Sequence, residues 1–206
     1  MASQARTQQK KKKIVKVASS LFSRHGFRVT TLDSIASKAS MGKASLYYYF
    51  PGGKEAIFSA VVQAEAEIAL QEIMEAVQKE KTPMGRLKTY LACRIQLFHK
   101  NILRHRLSDV TREELMPLAE QEIKEYLARE LGLIEAMLDE GIRTGTFKDV
   151  NTQVVARIIQ ASLKSITTDR QIQEDEEVRK SEADSFLRFV LSGIHHSTAD
   201  PFHDNA

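Results

Sequence analysis

Lys38, Lys43, Ser45, Tyr47, Tyr48 and Lys54 crowd into one stretch, TTLDSIASKASMGKASLYYYFPGGK, spanning residues 30–54. All six side chains donate hydrogen bonds: the ammonium groups as point charges, the hydroxyls and phenols as neutral donors. Interleaved with them, Leu32, Ile35, Ala36, Ala39, Leu46 and Phe50 supply an apolar inner face. Two short helices around a tight turn would bury that face and leave the donors outward. A helix-turn-helix that lays its second helix in the DNA major groove uses residues in this way. Lys43, opening the second helix, suits a phosphate or a guanine edge, and Ser45 with Tyr47 or Tyr48 follows on the exposed side. A tyrosine can donate to phosphate while its ring packs on a sugar or a thymine methyl. Core packing is the competing role for Tyr47–Tyr49, but three consecutive side chains span most of a helix circumference. Tyr49 is expected to be the most enclosed.

The charge distribution supports a polyanionic partner. The chain of 206 residues has a net charge of only +3. Residues 1–54, however, hold 11 Lys/Arg against one acid, Asp33, a net of +10. The remaining residues hold 19 Lys/Arg against 26 Asp/Glu, a net of −7. A basic head on an acidic body fits a polyanion-binding segment joined to a domain that does not touch phosphate.

Other chemistries find little support. The six histidines show no metal-ligand spacing, and the single cysteine, Cys93, offers no intrachain disulfide partner. Cys93 reads as a small apolar side chain on a helix face. The pair His195-His196 sits at a helix end, where exposure or a favourable dipole explains it better than a metal. No glycine loop cradles phosphate, since Gly52-Gly53 reads as an inter-helix turn. No catalytic residue, metal or cofactor is expected, and the chain is expected not to be an enzyme. No apolar run approaches the roughly 18 residues a membrane span requires. The basic start has no apolar stretch behind it, so it is not a signal peptide. A cytoplasmic protein without a membrane partner is expected, nucleoid-associated when bound to DNA.

The elements that must hold the head in place are helical. Residues 1–13, with Lys10–Lys13, read as a basic flexible arm, either a solubilising tail or, from its place directly before the helix-turn-helix, a contact to the DNA backbone. From Ile14 the apolar residues Ile14, Val17, Ala18, Leu21 and Phe22 recur at helical spacing until Gly26. Thr30 or Thr31 caps the next helix, with Asp33 in its first turn. Pro51-Gly52-Gly53 ends the second short helix and Lys54 opens a long one. Thr82-Pro83 starts another, and Asn101–Val110 reads as a loop. Thr111 with Glu114 resembles a capping box. Gly141 and Gly145 are expected to break the helix that follows Pro117. Asn151 caps the next, Asp169–Lys180 is a polar loop or helix extension, and Ser181 can cap the last helix before a frayed tail from Ser197. The class is all-α, with about nine helices: a three-helix head at 14–53, a body at 54–196 and a tail at 197–206.

The run Ile14…Ala18…Leu21-Phe22…Gly26-Phe27…Thr30-Thr31…Ile35-Ala36…Ala39…Lys43…Leu46-Tyr47…Phe50…Lys54-Glu55 resembles the N-terminal domain of tetracycline-repressor-type (TetR-family) transcriptional regulators. It covers about a quarter of the chain. The sequence departs from the family pattern at Ser40, where glycine is usual, at Ala44, and in one extra residue within Phe50–Lys54. The resemblance implies a homodimer on a near-palindromic double-stranded DNA operator. It also implies a C-terminal domain for ligand binding and dimerisation, whose small-molecule effector, unidentified here, weakens DNA binding. Thr31 and Lys54 stand where the family grips backbone phosphate, as helix N-termini allow.

Within the body, Phe98, Tyr126, Met137 and Ser162 are candidates to line a ligand pocket, with plain core packing as the alternative for each. The apolar stripes at 155–166 and 183–194 are expected to form the dimer interface as a four-helix bundle, through Val155, Ile159, Phe186, Leu187, Val190 and Leu191. The expected function is a ligand-responsive repressor. The alternative is an architectural or adaptor protein that binds DNA through the same head without a small-molecule ligand.

Overall fold

The computed structural model describes residues 2–105, 115–168 and 175–196. Among them the chain forms eight α-helices and one 3-10 turn, and no strand. In order these are α1 (Ala2–His25), α2 (Leu32–Ala39), α3 (Lys43–Tyr49), α4 (Gly53–Val77) and α5 (Pro83–His105). The 3-10 turn Met116–Ala119 then leads into α6 (Glu120–Arg143), α7 (Thr152–Thr168) and α8 (Glu176–Ile194). Two compact units divide the chain: Met1–Ile68 with Asn101–Tyr126, and Ala69–Lys100 with Leu127–Ala206.

The first unit is the head. Its core gathers Ile14, Ala18, Leu21 and Phe22 of α1, Ile35 of α2, Leu46 of α3 and Ile57, Phe58 and Val61 of α4. The rings of Phe22, Phe27 and Phe58 pack mutually, with centroids 5.2 to 6.1 Å apart. The head therefore does not end at Gly53: the first turns of α4 carry part of its core, and the division falls at Ile68. Residues 2–13 are not a flexible arm in this structure but the opening turns of α1. Ala, Gln, Lys and Arg dominate that stretch, which has neither Gly nor Pro, and those side chains favour helix.

Local chemistry sets the helix ends. Gly26, at φ 81°, stops α1, and its carbonyl accepts from the Thr30 hydroxyl at 2.8 Å. Thr30 is thereby buried, and Thr31 is the cap of α2. Thr31 Oγ1 accepts from the Ser34 amide and Ser34 Oγ from the Thr31 amide, both at 3.1 Å. Thr82 caps α5 by accepting from the Gly85 amide at 3.0 Å, and Asn151 caps α7 by accepting from the Val154 amide at 3.1 Å.

Two expected boundaries move. Ser181 lies inside α8, whose cap is Asp175: its Oδ1 accepts from the Glu177 and Val178 amides at 2.8 and 3.2 Å. An aspartate at that position also suits the positive end of the helix dipole. Gly141 does not break α6, which runs to Arg143; only Gly145, at φ 72°, lies past its end. Gly141 is there for space: a Cβ on it would lie 1.8 Å from Phe147 Cδ2. Residues 101–105, expected as loop, continue α5. The expected capping box at Thr111 and Glu114, the polar stretch at 169–174 and the tail from Ser197 lie outside the described residues.

The second unit is the body. Its core includes Ile73, Leu87, Tyr90, Leu91, Ile134, Leu138, Phe147, Ile159, Leu163, Leu191 and Ile194. Buried polar groups within it are paired. Glu130 of α6 accepts from Arg94 Nε of α5 at 2.5 Å, from Gln160 Nε2 of α7 at 3.1 Å and from the Tyr90 hydroxyl at 3.4 Å. The segment after α6 is tied to the end of α8 by backbone bonds, Lys148 to Ile194 at 2.8 Å and His196 to Thr146 at 3.0 Å.

Candidate nucleic-acid interface

α2 and α3 form the helix-turn-helix. The turn between them is held by a left-handed residue, Ser40 at φ 55° and ψ 51°, and by the Met41 amide bonding back to the Ala36 carbonyl at 2.9 Å. This geometry explains why glycine would suit position 40: a Cβ crowds the following carbonyl in that conformation. Ala36, Ala39 and Leu46 bury the inner face. α3 is short, and its sequence KASLYYY turns Leu46 inward, which leaves Lys43, Ser45, Tyr47 and Tyr48 exposed.

The three tyrosines are unequal, as their helical phase requires. Tyr48 is 76% exposed and Tyr47 47%, while Tyr49 is half-buried against the head core. Tyr49 and Tyr48 meet edge to face at 5.1 Å, so the enclosed ring steadies the exposed one. Lys43 donates to Asp33 Oδ2 at 2.9 Å across the turn. That hydrogen bond, followed by the attraction of the Asp33 charge, raises the Lys43 pKa above the ordinary lysine value. The pair is exposed at both ends, where solvent screens it, and phosphate can replace Asp33 as its partner.

Lys54, in the first turn of α4, makes contacts that its position alone does not reveal. Its ammonium donates to the Phe27 carbonyl at 3.0 Å and the Thr30 carbonyl at 3.1 Å, and lies 4.2 Å from the Phe27 ring centroid. It thus ties α4 to the turn that precedes α2. Thr31, Lys43, Tyr47 and Lys54 line one open cleft of about 530 Å³, together with Arg28, Asp33 and Glu55. Ser45 and Tyr48 lie outside it. Arg28, exposed in the turn before α2, went unremarked in the sequence, where no helical period marks the turn residues.

The ligand-pocket candidates sit in different local settings. Met137 is buried in the body core, and the Ser162 hydroxyl donates to the Ile158 carbonyl of its own helix at 2.9 Å. Tyr126 belongs to the head unit, and the side chain of Phe98 lies outside the described residues. The dimer candidates divide similarly. Ile159, Val190 and Leu191 are buried in the core of their own chain, and Val155, Phe186 and Leu187 pack partly against it. The exposed apolar side chains on α7 and α8 are instead Val154, Ile158, Val178 and Phe189. A continuous apolar stripe does not say which of its edges the chain itself covers.

Among the described residues no cluster of His, Cys, Asp and Glu could hold a metal, and no helix is long and apolar enough to cross a membrane. Comparison with known proteins places the head. The family described as "Bacterial regulatory proteins, tetR family" matches residues 14–61. The HTH-type transcriptional regulator RutR of Escherichia coli K12 is 28% identical over 153 residues, covering 74% of this chain and 71% of its own. The fatty acid metabolism regulator protein of Bacillus subtilis is 22% identical over 186 residues, covering 88% and 94%. A transcriptional regulator from Cytophaga hutchinsonii shares the fold with a TM-score of 0.74 and 25% identity, covering 88% of this chain and 96% of that one. With residues 14–61 matched to that family and a fold shared with a transcriptional regulator over most of its length, this chain carries the N-terminal domain of the TetR family of bacterial regulatory proteins.

Proposed function

We propose that this chain is a repressor that binds a near-palindromic operator as a homodimer and leaves it when a small molecule occupies the body. The observation that carries the proposal is the outward set Lys43, Ser45, Tyr47 and Tyr48, on a recognition helix packed through Leu46 into a basic head. Lys43, released from Asp33, takes a phosphate or a guanine edge, and Tyr47 and Tyr48 reach phosphate and thymine methyls. The start of α2 at Thr31 meets the backbone through its amide end. Lys54 acts by fixing the turn that presents Thr31, in keeping with its two carbonyl acceptors.

The dimer forms through α7 and α8, with Val154, Ile158 and Phe189 buried between protomers. Their exposure in the single chain supports this, because large apolar groups left in water on adjacent helices favour association. Ligand occupancy then changes the spacing of the two recognition helices away from the roughly 34–36 Å of one DNA turn. The effector must bind the released state more tightly than the bound one.

Selecting duplexes from a random pool tests the reading: a near-palindromic consensus is expected. Lys43→Ala should weaken binding to that consensus and flatten its salt dependence by about one unit per lost phosphate contact. Ile158→Asp and Phe189→Asp should sediment as monomers. A metabolite screen by thermal shift should find a compound that both stabilises the protein and releases DNA. Random selected sequences, or variants that remain dimeric, would refute the corresponding part.

A further inference from the structure

The first turns of α1 carry Arg6, Lys10, Lys11, Lys12 and Lys13, and no acidic residue occurs in the chain before Asp33. These turns are helical, and they precede residue 14, where the family match begins. The match therefore assigns them nothing. Arg6, Lys10, Lys12 and Lys13 are exposed. Lys11 is half-buried, its ammonium 5.7 Å from the ring of Phe50, the residue that ends α3. That contact sets the basic turns beside the C-terminal end of the recognition helix, within the same compact unit.

The geometry points to a second DNA-binding surface: the exposed cations of these turns grip the sugar-phosphate backbone that flanks the half-site read by α3. Arg6, Lys10 and Lys13 follow each other at i, i+4 and i+7 and so share one helix face. At 1.5 Å per residue they span about 10 Å, the length of about three base-pair steps. Besides Lys and Arg, residues 2–13 hold Ala, Ser, Gln and Thr, and the four exposed cations meet phosphate as charges. Their contribution is therefore independent of sequence and strongly dependent on salt. Helical order matters too, since a fixed row of charges meets phosphates without the ordering cost a disordered tail would incur.

This rests on the operator-binding reading, and the test separates the two. Arg6→Gln, Lys10→Gln, Lys12→Gln and Lys13→Gln are combined in the full-length protein, since glutamine keeps helix propensity; circular dichroism verifies the helix. Binding to the selected operator is titrated by fluorescence anisotropy across a salt series, with duplexes of increasing flank length, beside Tyr47→Ala. The basic-turn variant should lose about two to three units of salt slope per protomer, and about tenfold or more in affinity at low salt. It should keep its preference for operator over scrambled duplex and gain nothing from longer flanks. Tyr47→Ala should lose preference and keep the slope. A basic-turn variant with wild-type slope and flank dependence overturns the second surface while the operator reading stands. If the wild-type protein binds no duplex, both fall. Binding of wild type to phosphatidylglycerol vesicles that the variant loses, with an unchanged DNA slope, overturns it in favour of a membrane.

Discussion

Glu130→Leu removes a carboxylate whose side chain is 1% exposed and on which three helices of the body converge. Its partner Arg94 is 8% exposed, so the guanidinium would lose its 2.5 Å acceptor in a place where water cannot replace it. The Tyr90 hydroxyl and one Gln160 contact would lose the same acceptor, though Gln160 would keep the Leu127 carbonyl at 2.7 Å. Breaking a buried pair by deleting one partner costs about 3–5 kcal/mol. That is a large part of the roughly 5–15 kcal/mol that stabilises a domain. Deleting both partners has a different consequence, because no buried charge is then left. Arg94→Met with Glu130→Leu should recover most of the loss and approach wild type to within about 1–2 kcal/mol. Urea unfolding followed by circular dichroism measures both, with the denaturant slope checked for constancy. A single variant that costs less than about 1 kcal/mol, or a double variant no more stable than the single, would refute the idea that the pair is a desolvated unit.

Gly141→Ala should destabilise by about 3 kcal/mol or more, because its methyl would overlap the buried Phe147 ring at 1.8 Å. Phe147→Leu in the same chain should cost less than the two separate losses combined, and additive losses in urea would argue against the clash. Ser40→Gly should stabilise by about 0.5–1 kcal/mol, since it relieves a left-handed backbone that crowds a Cβ while adding some unfolded-state entropy; a lower Tm would contradict this. Burial pushes the Cys93 thiol up, so at pH 8 its reactive thiolate should be scarcer in the folded protein than in the denatured one. Alkylation timed by mass spectrometry should be slower without denaturant than with it, and equal rates would show the site to be open.

The head was legible in the sequence to an unusual depth, and the reason is local. Ile35, Ala36, Ala39 and Leu46 recur at a spacing that only helices bury on one face, and the outward residues follow by elimination. Tyr49 is enclosed and Tyr48 exposed for the same reason of phase. Longer-range partners are what the sequence left open. Gly141 has the composition of a breaker, and only the ring of Phe147 shows that it serves packing. Lys54 has the composition of a phosphate ligand, and only the carbonyls of Phe27 and Thr30, distant in sequence, show what holds it. Ser181 and Asp175 are both good caps, and the α8 backbone chose the earlier one.

By itself, the sequence determined the helical class, the segregation of positive charge into the first quarter, and the pair of short helices that carries Lys43, Ser45, Tyr47 and Tyr48. Those properties depend on composition and on period, which are written along the chain. Tertiary structure decided the allocation of apolar and charged side chains to partners. It buried Ile159, Val190 and Leu191 within one chain and left Ile158 and Phe189 in water, and it brought Lys11 to Phe50. An apolar stripe is wider than the face any one neighbour covers, and a cation has the same letter whether its partner is solvent, a carbonyl or a phosphate. Only the packing of distant segments against each other resolves which.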